Sequence, residues 1–361
     1  MPRNNRIQPR RIAVAVSGGV DSSVAAALLQ RQGHDVQGIF MKNFSPESWT
    51  GVAAAACPWE QDQRDAESVC NTLGIPFRSV NFEREYEQDV IRYFFREYRA
   101  GRTPNPDIRC NRLIKFGVFL RYAAQLGCDL MATGHYARVR AGRLYAGADR
   151  RKDQSYFLYQ LSERVLRRTL FPLAGYTKRQ VRAMASRWRL PTADKDDSQG
   201  ICFVGRVDLQ QFLSQRITPR RGAVRSTDGR QIGEHRGVWY YTIGQRHGLG
   251  IGGGTPLYVA AKNVRTNVLT VAASRNHPAL RSRRIHLKQL HWINHRPRRW
   301  PIHCYVKIRS QQPAQRCVAE HTAAGVILAF RRPQFAAASG QAAVIYTGTG
   351  HRRVLGGGTI V

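Results

Sequence analysis

Along the first half of the chain, short unbroken apolar runs alternate with segments in which apolar residues recur every three or four positions. Residues 11–16 (RIAVAV) form the first run, which predicts a strand buried on both faces. A glycine loop follows, and residues 24–32 then carry a helical pattern that Gly33 ends. Residues 36–41 (VQGIFM) read as a second strand, 61–73 as a charged helix stopped by Gly74-Ile75-Pro76, and 77–80 as a third strand. Residues 84–99 predict one long helix ended by Gly101, 111–126 another, and 129–133 (DLMAT) a further buried strand. Strands alternating with helices of this length indicate βαβ units and an α/β fold with a doubly wound parallel sheet, here over residues 1–206.

After a short helix at 207–216 the pattern changes. The runs VWYYTIG, PLYVAA, NVLTVAA, HCYVKIR, GVILAF and AAVIYTG are rich in β-branched and aromatic residues, and each reads as a strand. They predict a small β-rich central domain over 207–277 and a C-terminal antiparallel β-barrel over 278–361. Neither a solenoid repeat nor a low-complexity tail interrupts them.

At 361 residues the chain has room for two or three domains, and 42% hydrophobic residues can fill their cores without disulfide staples. No apolar run reaches the roughly 18 residues of a membrane-spanning helix, and the basic N-terminus lacks the apolar core of a secretory signal. A cytoplasmic enzyme with no membrane partner is the expectation. Charge sharpens it. The net charge is +33, and residues 235–361 hold 19 Lys and Arg against the single acid Glu320. Such an imbalance points to a polyanionic partner, although a generally basic proteome gives the same number, and charge by itself does not choose between DNA, RNA and a membrane surface. The seven cysteines, Cys57, Cys70, Cys110, Cys128, Cys202, Cys304 and Cys317, are odd in number and form no C-x-x-C pair. That argues against a disulfide framework and a zinc ribbon, and turns attention to single reactive thiols.

Ser17-Gly18-Gly19-Val20-Asp21-Ser22-Ser23 sits where a phosphate site belongs, after a buried strand and at a helix N-terminus. Glycines let the backbone approach an anion, amide N–H groups and the helix dipole favour it, and the serine hydroxyls add donors. The loop has neither the lysine of G-x-x-x-x-G-K-[ST] nor the pattern G-x-G-x-x-G. The literal G-x-G-x-x-G at Gly248–Gly253 leads into Thr255-Pro256-Leu257-Tyr258 with no helical pattern, so it reads as a turn. The loop resembles the S-G-G-x-D-S signature of the PP-loop ATP pyrophosphatases, which split ATP between its α- and β-phosphates.

Two cysteine segments follow. In GRTPNPDIRCN two prolines stiffen a loop, Cys110 falls at the start of the predicted helix, and Arg109 and Arg112 flank it. A helix N-terminus and neighbouring cations lower a thiol's pKa, and Asp107 is close enough to move a proton. In DSQGICFVG, Cys202 follows an acidic, glycine-containing loop and by itself would read as a core cysteine in a strand. Cys57 and Cys70 read as structural thiols.

Taken together, AVAVSGGVDSS, FMKNF, GRTPNPDIRCN, ATGHYARV, RKDQSYFLYQL, DSQGICFVG, GEHRGVWYYTIGQRHGLGIGG and SGQAAVIY resemble the bacterial tRNA-specific 2-thiouridylases, in order and over nearly the whole chain. The resemblance implies that Cys110 is the nucleophile, that Cys202 carries a persulfide sulfur, and that Asp107 is a general acid or base. It implies ATP contacts at Ala15, Val16, Ser17, Gly18, Gly19, Val20, Asp21 and Ser22, at Met41 and at Gly134, with Mg²⁺ on the phosphates. Target-base contacts map to Asn105, Pro106 and Asp107. Contacts with tRNA map to His135, to Lys152, Asp153 and Gln154, to Arg309 and Ser310, and to Gln341. Ser310 stands where the family commonly has an aromatic residue, and residues 45–57 follow no family pattern. The sulfur would come from a persulfide-donating relay protein or a cysteine desulfurase, and Cys110 would form a disulfide with Cys202 or release sulfide. The rival readings are another PP-loop tRNA enzyme such as a 4-thiouridine or lysidine synthase, a non-catalytic RNA-binding protein that keeps ATP as a structural ligand, and a dithiol oxidoreductase.

Overall fold

The computed structural model describes residues 8–45, 59–197, 208–251, 254, 256–348, 350 and 352–361. Cys57 and Cys202 lie outside the described residues. The chain divides into two units, one of residues 1–90, 107–206 and 348–355 and the other of 91–106, 207–347 and 356–361.

The first unit is built on a five-stranded parallel sheet. Its strands are β1 (Arg11–Ala15), β2 (Asp35–Lys42), β3 (Phe77–Asn81), β4 (Leu130–Ala132) and, after the hairpin of β5 (Ala137–Arg140) and β6 (Arg143–Ala146), β7 (Thr169–Leu170). They stand in the order β3-β2-β1-β4-β7. β1 is the middle strand, paired in parallel with β2 and β4, so its residues 12–15 are buried and must be apolar on both faces. The chain steps outward from β1 through β2 to β3 and then returns to place β4 on β1's other side. That reversal is a topological switch point, where open α/β sheets bind ligands beyond the strands' carboxyl ends.

α1 (Val20–Arg31) links β1 to β2, and all of its residues from Ser22 to Leu29 are buried. Ala26 and Leu29 join Ile12, Val14 and Val36 in one core cluster. Val24, Ala27 and Leu28 join Val181 and Ala185 in a second. Its run of alanines suits a helix packed between two layers, since small side chains let both neighbours approach. α2 (Trp59–Leu73) ends where Gly74 takes a positive φ of 64°.

Two predicted helices differ in form. Residues 83–99 comprise α3 (Glu83–Tyr86), a π-helical segment at Glu87–Ile91, and α4 (Arg92–Arg99). The helix expected from residue 111 starts at α5 (Pro106–Cys110), passes through a π-helical segment at Asn111–Val118, and continues as α6 (Phe119–Gln125). Proline is favoured in the first turn of a helix because its missing N–H has no partner there anyway. The short α7 (Glu163–Leu166) is followed by α8 (Lys178–Arg187), whose start is fixed by a capping box in which Thr177 and Gln180 bond each other's backbone N–H groups.

The second unit opens its β region after α9 (Leu209–Ser214) with β8 (Gly222–Ser226), β9 (Gln231–His235), β10 (Tyr258–Asn263) and β11 (Val268–Ala272). These form a four-stranded sheet in the order β10-β11-β8-β9. VWYYTIG is not the expected strand. Val238–Tyr240 is a 3₁₀ turn entered through Gly237 at φ 137°, and Val238, Tyr240 and Tyr241 are buried by it. β12 (Arg281–Trp292), β13 (Ile302–Lys307), β14 (Gln315–Thr322), β15 (Gly325–Phe335), β16 (Ala342–Thr347) and β17 (Arg353–Ile360) complete the chain in the order β12-β15-β14-β13-β16-β17. Pairing of Leu287 with Ile360 and Lys288 with Thr359 closes them into an antiparallel barrel of six strands. Burial alternates along β13 and β14, the period that one inward face requires. Cys304 and Cys317 face each other across this pair, and the neighbouring thiol together with burial pushes the Cys317 pKa up.

Candidate functional site

Everything at the switch point depends on close backbone approach. β1 ends at Ala15, Val16 donates its N–H to the Ile39 carbonyl (3.0 Å), and Gly18 turns the chain at φ 70°. A Cβ on Gly18 would lie 2.2 Å from the Asp62 carbonyl oxygen, so glycine is required twice over, by conformation and by contact. Gly19 is the N-cap of α1, and no side chain caps the helix. Ser22 Oγ accepts from the Ser17 N–H (3.1 Å), and the Ser22 and Ser23 hydroxyls both bond the Gly19 carbonyl (3.0 and 2.8 Å). The first-turn amides of α1 therefore have no side-chain acceptor, the condition that suits a helix N-terminus to an anion. A phosphate group placed there would meet backbone donors and the positive end of the helix dipole.

The segment after β4 is the second wall. A Cβ on Gly134 would lie 2.8 Å from the Asp21 carbonyl carbon and from the Ser22 nitrogen, so Gly134 rests on the first turn of α1. The next residue, His135, is 8% exposed, packed near Phe116 (ring centroids 5.7 Å apart) and Phe171 (6.0 Å), with Nδ1 2.8 Å from the Thr133 hydroxyl. Phe116 belongs to the helix that begins with Asp107 and Cys110. Residues 133–135 thus touch both the phosphate loop and the cysteine-bearing helix.

Burial, with help from the Lys115 charge, lowers the His135 pKa well below 6.5. A base whose folded pKa is depressed favours the fold above its ordinary pKa, and that contribution is lost as pH falls below about 6.5. The melting temperature of the native protein should accordingly drop more between pH 7.5 and 5.5 than that of His135→Gln, as read by thermal denaturation. Equal drops in the two proteins would contradict a buried neutral imidazole.

Cys110 is fully buried as the last residue of α5. Because the helix starts five residues earlier than expected, at Pro106 instead of residue 111, Cys110 lies beyond its first turn, where the dipole's effect on a thiolate has faded. Asp107 takes the first-turn position instead. Arg109 donates to the Asp89 carbonyl, and Asn111 donates to the Phe157 carbonyl (3.2 Å) while its own buried Oδ1 has no partner among the described residues. A π-helical segment directly after Cys110 is a rare form that tends to mark functional sites. Cys70 is a different kind of thiol. It lies in the sheet-side core, where burial and then the Glu67 charge push its pKa up to about 12, so it is inert.

The remaining expected contacts scatter. Met41 is buried at the end of β2, its carbonyl accepting from Asn43 (3.0 Å). Asp153 caps the Gly147 and Ser155 N–H groups (3.2 and 3.1 Å), and Gln154 Oε1 accepts the Tyr136 N–H (2.9 Å). Lys152 pairs with Asp197 (2.6 Å). In the second unit, Arg309 donates to the Ile243 and Ala336 carbonyls (3.1 and 3.0 Å), and Ser310 lies in the turn after β13. Gln341 donates to the Thr103 carbonyl (3.0 Å), which ties the loop at Ser339–Gln341 to the stretch leading into Asn105 and Pro106.

Sequence reasoning missed the charges that gather beside the loop. Tyr136 Oη and Lys178 Nζ both lie 2.7 Å from Asp21 Oδ1. Lys178 and Arg182 each lie 2.8 Å from Asp197 Oδ1. Burial works against the Asp197 carboxylate, but hydrogen bonds from Lys152 and Lys178 outweigh it and hold its pKa far below the usual range. Lys195 bridges Asp62 (2.6 Å) and Asp65 at the start of α2. The Thr177-x-x-Gln180 capping box makes the start of α8 readable, yet nothing in the sequence joins Lys178 to a residue 157 positions away. Among the described residues no His, Cys, Asp or Glu cluster could hold a metal ion, and no helix is long and apolar enough to cross a membrane.

A central parallel strand feeding a glycine-serine loop at an uncapped helix, on the switch point of the sheet, defines a nucleotide-binding α/β protein. Residues 10–206 match the family described as the tRNA methyl transferase HUP domain, 210–273 its PRC-barrel domain, and 282–360 the aminomethyltransferase beta-barrel domain. The chain is 48% identical to the tRNA-specific 2-thiouridylase MnmA of Nitrosococcus oceani, over 97% of this chain and 96% of that protein. Identity is 46% to the protein of the same name from Halalkalibacterium halodurans (98% and 95% covered) and 45% to that from Streptococcus pyogenes (100% and 96%). The chain belongs to the tRNA-specific 2-thiouridylase family.

Proposed function

We propose that this protein converts the wobble uridine of tRNA to 2-thiouridine, consuming ATP and releasing AMP and pyrophosphate. The observation that carries the reading is the pair of contacts made by residues 133–135, Gly134 on the phosphate loop and His135 on the helix that bears Asp107 and Cys110. One site activates an oxygen as an adenylate, and the other supplies thiol chemistry. Relatives named for 2-thiouridine formation along nearly the whole chain support the same conclusion.

The uridine C2 oxygen attacks the α-phosphorus of ATP and pyrophosphate leaves from the cradle of Ser17–Ser22. Ala15, Val16 and Met41 form the strand ends beside it, and Mg²⁺ travels with the phosphates. The outer sulfur of a Cys202 persulfide attacks C2 and AMP departs. Cys110 then attacks the Cys202 sulfur, which breaks the S–S bond, leaves the second sulfur on C2 and joins the two cysteines as a disulfide. A dithiol reductant supplies the two electrons that reset the pair. Asp107, at the first turn of α5, moves the proton, worth roughly 10²–10⁴-fold. Asn105 and Pro106 border the base, which must leave its stack in a single-stranded loop to react. The basic region 278–361, with Arg309, Ser310 and Gln341, grips the tRNA; the catalytic domain is 1–206 and the central domain 207–277. His135, Lys152, Asp153 and Gln154 shape the tRNA-facing border of the catalytic domain. A persulfide-bearing protein of the same cytoplasmic compartment recharges Cys202.

The family descriptions also speak of methyl transfer, which would not need the phosphate cradle. Purified protein with ATP, Mg²⁺, a persulfide donor and tRNA should yield 2-thiouridine at the wobble position by nucleoside mass spectrometry, with AMP and pyrophosphate in step. A methylated nucleoside, 4-thiouridine, or ADP and phosphate as products would overturn the proposal.

A further inference from the structure

The phosphate loop contains no lysine, whereas in loops of the G-x-x-x-x-G-K-[ST] type a lysine reaches the β- and γ-phosphates. The fold brings one in from elsewhere. We propose that Lys178 is the cation that holds the β- and γ-phosphates of ATP, and then the departing pyrophosphate, and that Asp197 is its positioning residue. The inference rests on the ATP-splitting reading above.

The backbone of Lys178 is fixed on its N-terminal side. Thr177 caps α8 through the capping box, and the Lys178 N–H donates to Asp149 Oδ2 (2.9 Å). Its side chain is only 13% exposed, and the ammonium reaches Asp21 on the first turn of α1 and Asp197 (2.7 and 2.8 Å). An ammonium has three donors, and these two carboxylates take two of them among the described residues. The third is available to a phosphate oxygen seated on the adjoining loop.

The electrostatics around it point the same way. Asp21, Asp149 and Asp197 face Lys152, Lys178 and Arg182, so the group carries no negative surplus to repel an anion beside an uncapped helix N-terminus. Asp197 alone receives three cations, which leaves Lys178 shared rather than neutralised by it. A purely structural ion pair would not need the position against the loop. Tyr136, which donates to the same Asp21 oxygen as Lys178, holds that carboxylate in place when the lysine turns toward phosphate.

The test compares ligands that differ only in phosphate. Isothermal titration of the full-length protein with Mg-ATP, pyrophosphate and AMP is run for the native chain, Lys178→Gln and Lys178→Arg, with thermal melts alongside. Lys178→Gln should weaken ATP and pyrophosphate about tenfold or more, as expected for losing a charge-assisted contact, while AMP stays within about twofold. Lys178→Arg should recover part of the loss. Equal weakening of ATP and AMP, or no weakening of either, overturns the assignment. In the native protein ATP and pyrophosphate, unlike AMP, should slow acetylation of Lys178 by acetic anhydride, read by peptide mass spectrometry. Equal rates overturn it without any variant having to fold. A native protein that binds no ATP at all overturns the ATP reading itself, whereas tight native binding that Lys178→Gln leaves intact overturns only the role of Lys178.

Discussion

Exchanging Cys110 for alanine should reduce 2-thiouridine formation to background while ATP affinity stays within about twofold of the native value. The substitution removes one sulfur atom from a fully buried position at the end of α5 and leaves the Cβ in place. Alanine is the best helix former, so the helix is not put at risk. Cys202→Ser should give the same loss, since a serine cannot carry a persulfide. Asp107→Asn should slow turnover by roughly 10²–10⁴-fold without abolishing it. The measurement is single-turnover thiolation followed by nucleoside mass spectrometry, with ATP binding titrated on the same preparations. Full thiolation by Cys110→Ala would remove it from the chemistry, and full thiolation by Cys202→Ser would remove the persulfide.

The second large effect belongs to a residue with no functional group. In Gly134→Ala the new Cβ would stand 2.8 Å from two backbone atoms of the first turn of α1, and backbone cannot move aside as a side-chain tip can. Such overpacking costs about 1–3 kcal/mol, and here it is relieved by displacing the turn that holds the phosphates. ATP affinity should fall about tenfold or more while the far-ultraviolet circular dichroism stays native. Gly175→Ala is the control, because nothing lies within 4 Å of a Cβ there. Equal ATP affinity in the two variants would mean that residues 133–135 do not shape the phosphate site.

How much of this was readable beforehand follows from what each signal can carry. β1, β2, β4 and the glycine loop were legible because a strand buried on both faces must be an unbroken apolar run, and RIAVAV and DLMAT are such runs. The β5–β6 hairpin was not, because its turn places Ala141 at φ 49°, a conformation that sequence rules assign to glycine or asparagine. The π-helical segments escaped because one widened turn leaves the helical period nearly unchanged. The sequence pattern makes Pro106 a loop stiffener, whereas it opens a helix, and Cys110 therefore lies beyond the first turn instead of within it. VWYYTIG has the composition of a strand, and only tertiary burial of Val238 and Tyr240 explains its turn. The loop residues of the site were local in sequence and therefore visible. Lys178, Tyr136 and Asp197 are joined to Asp21 and to one another only by the fold.

The burial of Cys110 has a consequence for chemical survival. A reactive sulfur in a living cell meets peroxides, electrophiles and small thiols far more often than it meets its intended partner. With no surface open to water, Cys110 is out of their reach for as long as the helix that carries it stays packed. Damage then requires the helix to open, so the packing that hides the thiol also sets how often it can be oxidised.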